Sequence, residues 1–109
     1  MYRLFTTEEF DRDFDKLDNS DQERIRKIIK QLKERGSEIG KPLSGLTFFR
    51  EKKFNGKRLY FLVYSDIFVI LILAISNKKA QQSTINKILL NLEKYQKYVY
   101  KTLREKGLI

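Results

Sequence analysis

Apolar residues recur at helical spacing in two segments near the start of the chain, after a strand-like opening at 2–5. The first stripe is Phe10, Phe14 and Leu17, and the second is Ile25, Ile28, Ile29 and Leu32. Thr6 with Glu9, and Ser20 with Glu23, have the spacing of capping boxes, so we expect one helix to begin at each pair. The second helix is expected to end near Gly36. Because the link between the helices is short, the pattern predicts a helical hairpin.

The middle of the chain changes to the alternating pattern of strands. Residues 36–45 hold three of the five glycines and the only proline, which predicts a loop. Three strands are expected at about 47–54, 57–64 and 67–75, and Asn55-Gly56 is typical of a type I′ hairpin turn between the first two. The third strand is apolar throughout, which indicates a strand covered on both faces.

Helical spacing returns after Asn77 and continues to about Gly107, with apolar residues at Ile85, Ile88, Leu89, Leu92, Val99 and Leu103. One helix of this length would extend for roughly 40 Å, so we expect its distal end to project. The element order β-α-α-β-β-β-α predicts an α+β fold, with a helical hairpin packed on a mostly antiparallel sheet and a long C-terminal helix. No repeat or composition shift divides the chain, so one domain is expected over 1–109.

The composition excludes several kinds of chemistry. The chain has 109 residues, of which 41% are apolar, and it contains neither Cys nor His. A disulfide framework, a thiolate metal site and a histidine proton shuttle are therefore excluded, and no cofactor or metal is expected. The longest apolar run has nine residues, 67–75, which is too short to cross a bilayer. With no secretion signal at the start, the sequence is typical of a cytoplasmic protein.

The net charge of +9 is unevenly distributed. Residues 1–40 carry 9 cations and 10 anions, residues 41–77 carry 6 and 2, and residues 78–109 carry 8 and 2. The excess in the second half favours a polyanionic partner such as nucleic acid, an anionic membrane surface or an acidic protein. The alternative is a set of lysines that only keep the surface solvated.

The hairpin at 48–64 places unusual charge on a sheet. A two-residue turn at Asn55-Gly56 sets Lys53 directly opposite Arg58, with Glu51 and Tyr60 as the next pair on the same face. Two opposed cations repel each other, so the arrangement is favoured if an anion binds between them. Alternatively, Glu51 neutralises both, and the cluster only protects a sheet edge from aggregation.

The two faces of this hairpin differ in composition. The face that carries Lys53 also holds Phe49, Glu51, Arg58, Tyr60, Leu62 and Tyr64. The other face holds Phe48, Arg50, Lys52, Phe54, Leu59, Phe61 and Val63. The second set has more bulky apolar groups, so we expect it to pack on the helices, with Arg50 and Lys52 extended towards an edge.

A second basic pair, Lys78 and Lys79, follows the third strand at the predicted start of the long helix. The first turn of a helix favours anions through its free amides and dipole. Adding two cations there is unfavourable unless an anion such as phosphate binds, although a solvated helix start is the alternative.

Three stretches together resemble a known family: PLSG at 42–45, REKKFNGKRLYFLV at 50–63 and ILAISNKKAQQ at 72–82. Their order and spacing are similar to those of the RelE/ParE toxin superfamily of toxin–antitoxin systems, over essentially the whole chain. The resemblance implies a RelE-like toxin that cuts mRNA on the ribosome. The reaction would be metal-free, with a ribose 2′-hydroxyl attacking the next phosphate. A protein antitoxin, the ribosome and mRNA would be its partners.

Matched position by position, the resemblance implies catalytic roles for Lys53, Arg58, Glu51 and Lys78. Arg58 and Lys53 would hold the scissile phosphate, and Glu51 would orient them or act as base. Further contacts with RNA are expected from Arg50, Lys52, Lys57, Tyr60 and Lys79, and Tyr60 could also serve as acid. The chain departs from many members of the superfamily because it has no His, and no Tyr early in the last helix. A catalytically inactive or ParE-like protein acting on another target such as gyrase therefore stays open, as does a basic ribosome- or RNA-binding domain.

The Tyr-rich tail LEKYQKYVYKTLREKGLI at 92–109 allows several interpretations. Its apolar stripe could bind an antitoxin, form a homodimer through the C-terminal helix, or pack on the sheet of the same chain.

Overall fold

The computed structural model describes residues 1–109 and consists of five strands and four α-helices around one sheet. The strands are β1 (Arg3–Thr6), β2 (Lys41–Leu43), β3 (Leu46–Phe54), β4 (Lys57–Tyr64) and β5 (Val69–Asn77). The helices are α1 (Glu8–Asp15), α2 (Asn19–Arg35), α3 (Gln81–Leu90) and α4 (Leu92–Glu105), with a 3₁₀ turn at Gly36–Glu38. The spatial order is β1-β5-β4-β3-β2, and only the β1–β5 pair is parallel. The predicted α+β class is confirmed.

Helices cover both faces of the sheet. The cluster under α1 and α2 joins Phe10, Ile25, Ile28 and Leu32 to Phe54, Leu59, Phe61 and Val63 of the hairpin. The cluster under α3 and α4 joins Ile85, Ile88, Val99 and Leu103 to Phe49, Tyr60, Leu62 and Leu71. As expected, the hairpin face with more bulky apolar groups packs on helices, although Phe48 is 40% exposed. The face that carries Lys53 also packs on helices, at Phe49, Tyr60 and Leu62, which the sequence did not predict. The prediction of a third strand buried on both faces is confirmed.

Both predicted capping boxes are wrong by one or two residues. The Thr7 hydroxyl caps α1 by accepting from Phe10 N at 3.1 Å, and it also donates to Leu73 O of β5 at 2.7 Å. The carboxylate of Asp18 caps α2 by accepting from Asp21 N at 2.8 Å. Thr7 is favoured as the cap of α1 because its hydroxyl also bonds to the sheet. Asp18 is favoured as the cap of α2 because a negative charge at a helix start interacts favourably with the helix dipole.

The segment predicted as loop contains the edge strand β2, so that prediction is wrong for residues 41–43. β2 pairs antiparallel with β3, and Pro42 is tolerated because it lies on an edge strand. Gly40 precedes the strand with φ +74°, and a side chain there would collide with the backbone oxygen of Glu51. Because Gly40 has no side chain, the chain that enters β2 can lie against the backbone of Glu51.

The predicted long helix divides into α3 and α4 at Asn91, where φ is −118° and ψ is 15°. Asn91 Nδ2 donates to Lys87 O at 2.7 Å, while its backbone amide bonds Ile88 O instead, so the side chain competes with the helical ladder. No helix has the length and apolar composition that a membrane crossing requires.

The distal part of the last helix packs on the molecule, so the expected projection is wrong. Val99 and Leu103 are buried against the sheet, and the Tyr98 hydroxyl donates to Thr6 O at 3.0 Å. Ile85, Ile88, Val99 and Leu103 of the apolar stripe pack into the protein's own core, whereas binding of an antitoxin or of a second copy at this helix stays a prediction. This packing is the third of the interpretations that the sequence allowed.

Candidate functional site

The Asn55-Gly56 turn is held against the start of α2. Both turn residues have positive φ, 43° and 76°, as a type I′ turn requires. Asn55 Nδ2 donates to Asp21 Oδ1 at 2.9 Å, and Lys57 Nζ lies 2.8 Å from Asp21 Oδ2. The hydrogen bond from Lys57 lowers the pKa of Asp21, and the same bond raises the pKa of Lys57. The hairpin tip is therefore anchored, and one of its cations is neutralised.

Beside this turn is an open depression of about 310 Å³ with a basic lining. Lys53 and Arg58 lie opposite each other on β3 and β4, which confirms the predicted register. The lining also includes Lys78, from the turn after β5, and Lys57, whose charge is paired with Asp21. Lys53 and Lys78 are exposed and form no ion pair. The fold thus brings cations from three elements to one concave surface, which an anion could enter.

Glu51 lies beneath Arg58 and is almost completely buried, with 1% of its surface exposed. Arg58 Nε is 2.9 Å from Glu51 Oε1, and the Arg58 side chain is 9% exposed. Lys41 Nζ is 3.9 Å from the other carboxylate oxygen. The expectation of an unneutralised pair is therefore wrong for Arg58, because a buried cation needs a counter-charge. The alternative, in which Glu51 neutralises both cations, is wrong for Lys53.

Burial changes the roles available to Glu51 and Tyr60. Tyr60 is fully buried, its hydroxyl lies 2.8 Å from Ser76 Oγ, and burial raises its pKa. It can neither touch RNA nor donate a proton to a substrate, so the expectation for Tyr60 is corrected. The Glu51 side chain is 0% exposed, which argues against its expected role as base, whereas orientation of Arg58 stays a prediction that fits its burial.

Arg50 bonds to the backbone of its own chain, and the expected contact with RNA stays a prediction. Its guanidinium donates to three backbone carbonyls, those of Ile39, Thr47 and Gly40, at 2.9, 3.0 and 3.0 Å. These bonds fasten the segment before β2 to β3, and they account for a cation on the more apolar hairpin face.

The remaining predicted cations, Lys52 and Lys79, do not line the depression. Lys52 is half-buried and lines a second hollow with Lys41 and Glu38, which shares Lys53 with the depression. Lys79 is exposed in the same turn as Lys78. That turn is closed by Asn77 Oδ1, which accepts from Ala80 N at 2.8 Å, and α3 begins only at Gln81. The two lysines therefore precede the helix rather than occupy its first turn.

Sequence reasoning missed the contact that Gln81 makes. Its side-chain amide donates to Glu51 Oε1 at 2.9 Å, which places it in direct contact with the buried carboxylate. Its only sequence signal is its position, three residues after Lys78 in the ILAISNKKAQQ stretch.

Several solved structures share this architecture. No protein-family model and no curated protein sequence matches the chain. The isolated Escherichia coli RelE toxin superposes with a TM-score of 0.60 and 19% identity over 81% of this chain and 99% of RelE. RelE in the intact E. coli RelBE toxin–antitoxin complex gives 0.61 and 21% over 71% and 96%. The Mycobacterium tuberculosis RelBE2 toxin–antitoxin complex gives 0.53 and 20% over 71% and 98%. The chain has the fold of the RelE toxins.

Proposed function

We propose that the protein is the toxin of a toxin–antitoxin pair and cleaves mRNA bound to the ribosome. One observation carries this proposal: Lys53, Arg58 and Lys78 converge from three elements on one open depression. Maintaining three cations at one concave surface is electrostatically costly unless a polyanion binds there. The RNA backbone is such a polyanion, and its phosphates are the groups that lysine and arginine bind.

Arg58 is suited to hold the scissile phosphate. Its Nε lies 2.9 Å from the Glu51 carboxylate, its terminal nitrogens form no hydrogen bond within the protein, and the residue lines the depression. A guanidinium can bind two phosphate oxygens at once through parallel N–H groups. Because Glu51 fixes the guanidinium from behind, the free donors require little reorganisation when phosphate arrives.

The proposed reaction is an internal displacement at phosphorus. The ribose 2′-oxygen forms a bond to phosphorus as the bond to the 5′-oxygen breaks, giving a 2′,3′-cyclic phosphate and a 5′-hydroxyl. Arg58 and Lys53 stabilise the additional negative charge of the phosphorane. The Lys78 ammonium gives its proton to the leaving 5′-oxygen, and the 2′-hydroxyl proton passes to water. Stabilisation of charge, rather than a dedicated base, supplies the rate enhancement.

A protein antitoxin belongs to the same proposal, because two of the structural neighbours are toxins in complex with antitoxins. The ribosome and its mRNA, in the cytoplasm, are the proposed target.

A second function is favoured by the enclosure of Glu51 and Tyr60, which leaves the depression without an accessible carboxylate or tyrosine as base. In this alternative the protein uses the toxin fold to bind and block another target, such as gyrase, without cutting RNA.

The test is induced expression in bacteria, with growth followed and mRNA ends mapped by primer extension. The informative variant is Lys53→Ala/Lys78→Ala, because both side chains are exposed and their removal leaves the core intact. The control is Lys30→Ala/Lys33→Ala, which removes the same charge from the exposed surface of α2. Arg58→Ala is less informative because it also leaves Glu51 buried without its counter-ion.

We expect the wild type and the control to arrest growth and to produce cuts in phase with codons. The Lys53→Ala/Lys78→Ala variant should lose cleavage by about 100-fold or more, as expected when donors to a developing oxyanion are removed. Growth arrest with intact mRNA would refute the nuclease and support the second function. Equal cleavage by both double variants would show that the depression is not the active site.

A further inference from the structure

The start of α3 is joined to the β3–β4 hairpin through one partly buried hydrogen bond, from Gln81 Nε2 to Glu51 Oε1 at 2.9 Å. It is the only aligned hydrogen bond that the Glu51 side chain accepts. Arg58 Nε is also 2.9 Å from Oε1, but its N–H does not point at the oxygen, and Oε2 is buried without a hydrogen-bond partner. The orientation of the carboxylate therefore depends on Gln81.

Arg58 depends in turn on that carboxylate. Its side chain is 9% exposed, and the ion pair with Glu51 is its only charged contact. A guanidinium held by one ion pair, with free terminal nitrogens, follows its counter-ion if the counter-ion rotates. Displacement of Glu51 would move the donors that face the depression.

Gln81 also belongs to the segment that carries Lys78. Gln81 N donates to Lys78 O at 3.3 Å, and Asn77 Oδ1 closes the intervening turn by accepting from Ala80 N at 2.8 Å. At its other end the turn is continuous with β5, where Asn77 pairs with Lys57. The turn is therefore fixed to the sheet at Asn77 and to the buried carboxylate at Gln81.

We propose that Gln81 is a positioning residue, which sets Arg58 and the Lys78 turn at the separation that an RNA phosphate needs. Gln81 acts through Glu51 and makes no contact with substrate. Its part in cleavage rests on the proposed function, whereas its part in placing Arg58 does not.

The chain provides a matched control for the test in the neighbouring Gln82. Gln82 is exposed, and its amide bonds Asn86 within α3 at 2.9 Å. Gln81→Leu and Gln82→Leu therefore remove the same chemical group from adjacent positions of one helix. Three quantities are compared: the ¹⁵N resonance of Arg58 Nε, affinity for a 2′-O-methyl oligonucleotide that cannot be cut, and the kcat and KM of cleavage on ribosomes.

We expect Gln81→Leu to shift or broaden the Arg58 resonance and to weaken oligonucleotide binding, whereas Gln82→Leu changes neither. In cleavage, Gln81→Leu should lower kcat by up to about 100-fold, the loss expected from a displacement of about 1 Å in a positioned group. KM on ribosomes should change much less, because the exposed lysines remain.

An exchange variant separates positioning from a merely structural role. Gln81→Glu places two carboxylates together and should displace Arg58 more than Gln81→Leu does. Glu51→Gln/Gln81→Glu restores an amide–carboxylate bond with donor and acceptor exchanged, so the Arg58 resonance and part of the oligonucleotide affinity should return.

The outcomes distinguish this proposal from the proposed function. An Arg58 resonance and an oligonucleotide affinity in Gln81→Leu that match those of Gln82→Leu would overturn the role of Gln81, whatever the cleavage result. A wild-type protein that cuts no mRNA would overturn the nuclease, and the resonance and affinity measurements would still decide whether Gln81 positions Arg58.

Discussion

On one face of the β3–β4 hairpin, apolar packing continues to the turn, and on the other face it ends before the turn. Under α1 and α2, Phe54 is the last residue of β3 and is only 4% exposed. Under α3 and α4, the core ends at Tyr60, and the next positions hold the buried Glu51–Arg58 pair and then the exposed Lys53. The same two strands therefore end as closed core on one side and as a basic depression on the other.

The difference follows from where the covering helices begin. α2 begins beside the turn, and its Asp21 binds both Asn55 and Lys57. α3 begins at Gln81, which reaches only as far as Glu51 and leaves Lys53 and Lys78 uncovered. Whether a cation of this hairpin is free to bind an anion thus depends on where the neighbouring helix begins, rather than on how many cations the strand carries.

The largest expected contrast is between the adjacent residues Phe54 and Lys53, which point to opposite faces. Phe54→Ala should lower the free energy of unfolding by about 3–5 kcal/mol, because it leaves a cavity under α1 and α2. Lys53→Ala should change it by less than about 0.5 kcal/mol, because the side chain has no partner. Urea unfolding measures both, and equal losses would show that the two faces do not differ in this way.

A smaller effect is expected at the boundary between core and depression. Glu51→Gln keeps the shape but leaves Arg58 without a counter-charge, which should cost about 3 kcal/mol of unfolding free energy. The control is Glu105→Gln, whose partner Lys101 is 3.8 Å away with 73% of its side chain exposed, and which should cost less than about 0.5 kcal/mol.

The double variant Glu51→Gln/Arg58→Met completes this comparison. Removing both charges should recover most of the stability that Glu51→Gln loses, because replacing a buried ion pair with uncharged side chains often changes the free energy of unfolding little. If the double variant is as unstable as the single one, the loss does not come from the unpaired charge of Arg58.

Much of the hairpin was predictable because its determinants are local. Asn55-Gly56 specifies the turn, the turn specifies the register, and alternation then places Lys53 opposite Arg58. The two helical stripes near the start of the chain were predictable for the same reason, since each depends only on residues within one helix.

What sequence patterns missed depends on partners that are distant along the chain. Asp21 neutralises Lys57, and Gln81 orients Glu51, but neither pair has a spacing that a periodic pattern could reveal. β2 forms in a Gly- and Pro-containing segment because pairing with β3 outweighs local propensity. The break at Asn91 was missed because one side-chain hydrogen bond, rather than a Gly or Pro, interrupts the helix.

The smallest expected effect is a pH-dependent loosening of the contact between the Asn55-Gly56 turn and α2. The pKa of Asp21 is lowered from 3.8, so its contribution is present above pH 3.8 and is lost as the pH falls through the lowered pKa. The pKa of Lys57 is raised from 10.5, so its contribution is present below pH 10.5 and is lost as the pH rises through the raised value. The ion pair between Asp21 and Lys57 should therefore persist from about pH 4 to pH 10.

NMR of the Asn55 side-chain amide, titrated from pH 7 to pH 2, measures this loosening. Amides in the centre of β4 and β5 serve as the reference for global unfolding. The Asn55 signal should change below pH 3.8 before the reference amides do, because Asp21 loses its charge while the core remains folded. In Asp21→Asn the signal should start near its low-pH position and show no separate transition. An Asn55 transition that coincides with the reference amides in both proteins would mean that the turn is held by the hairpin alone, and that α2 does not close this side of the sheet.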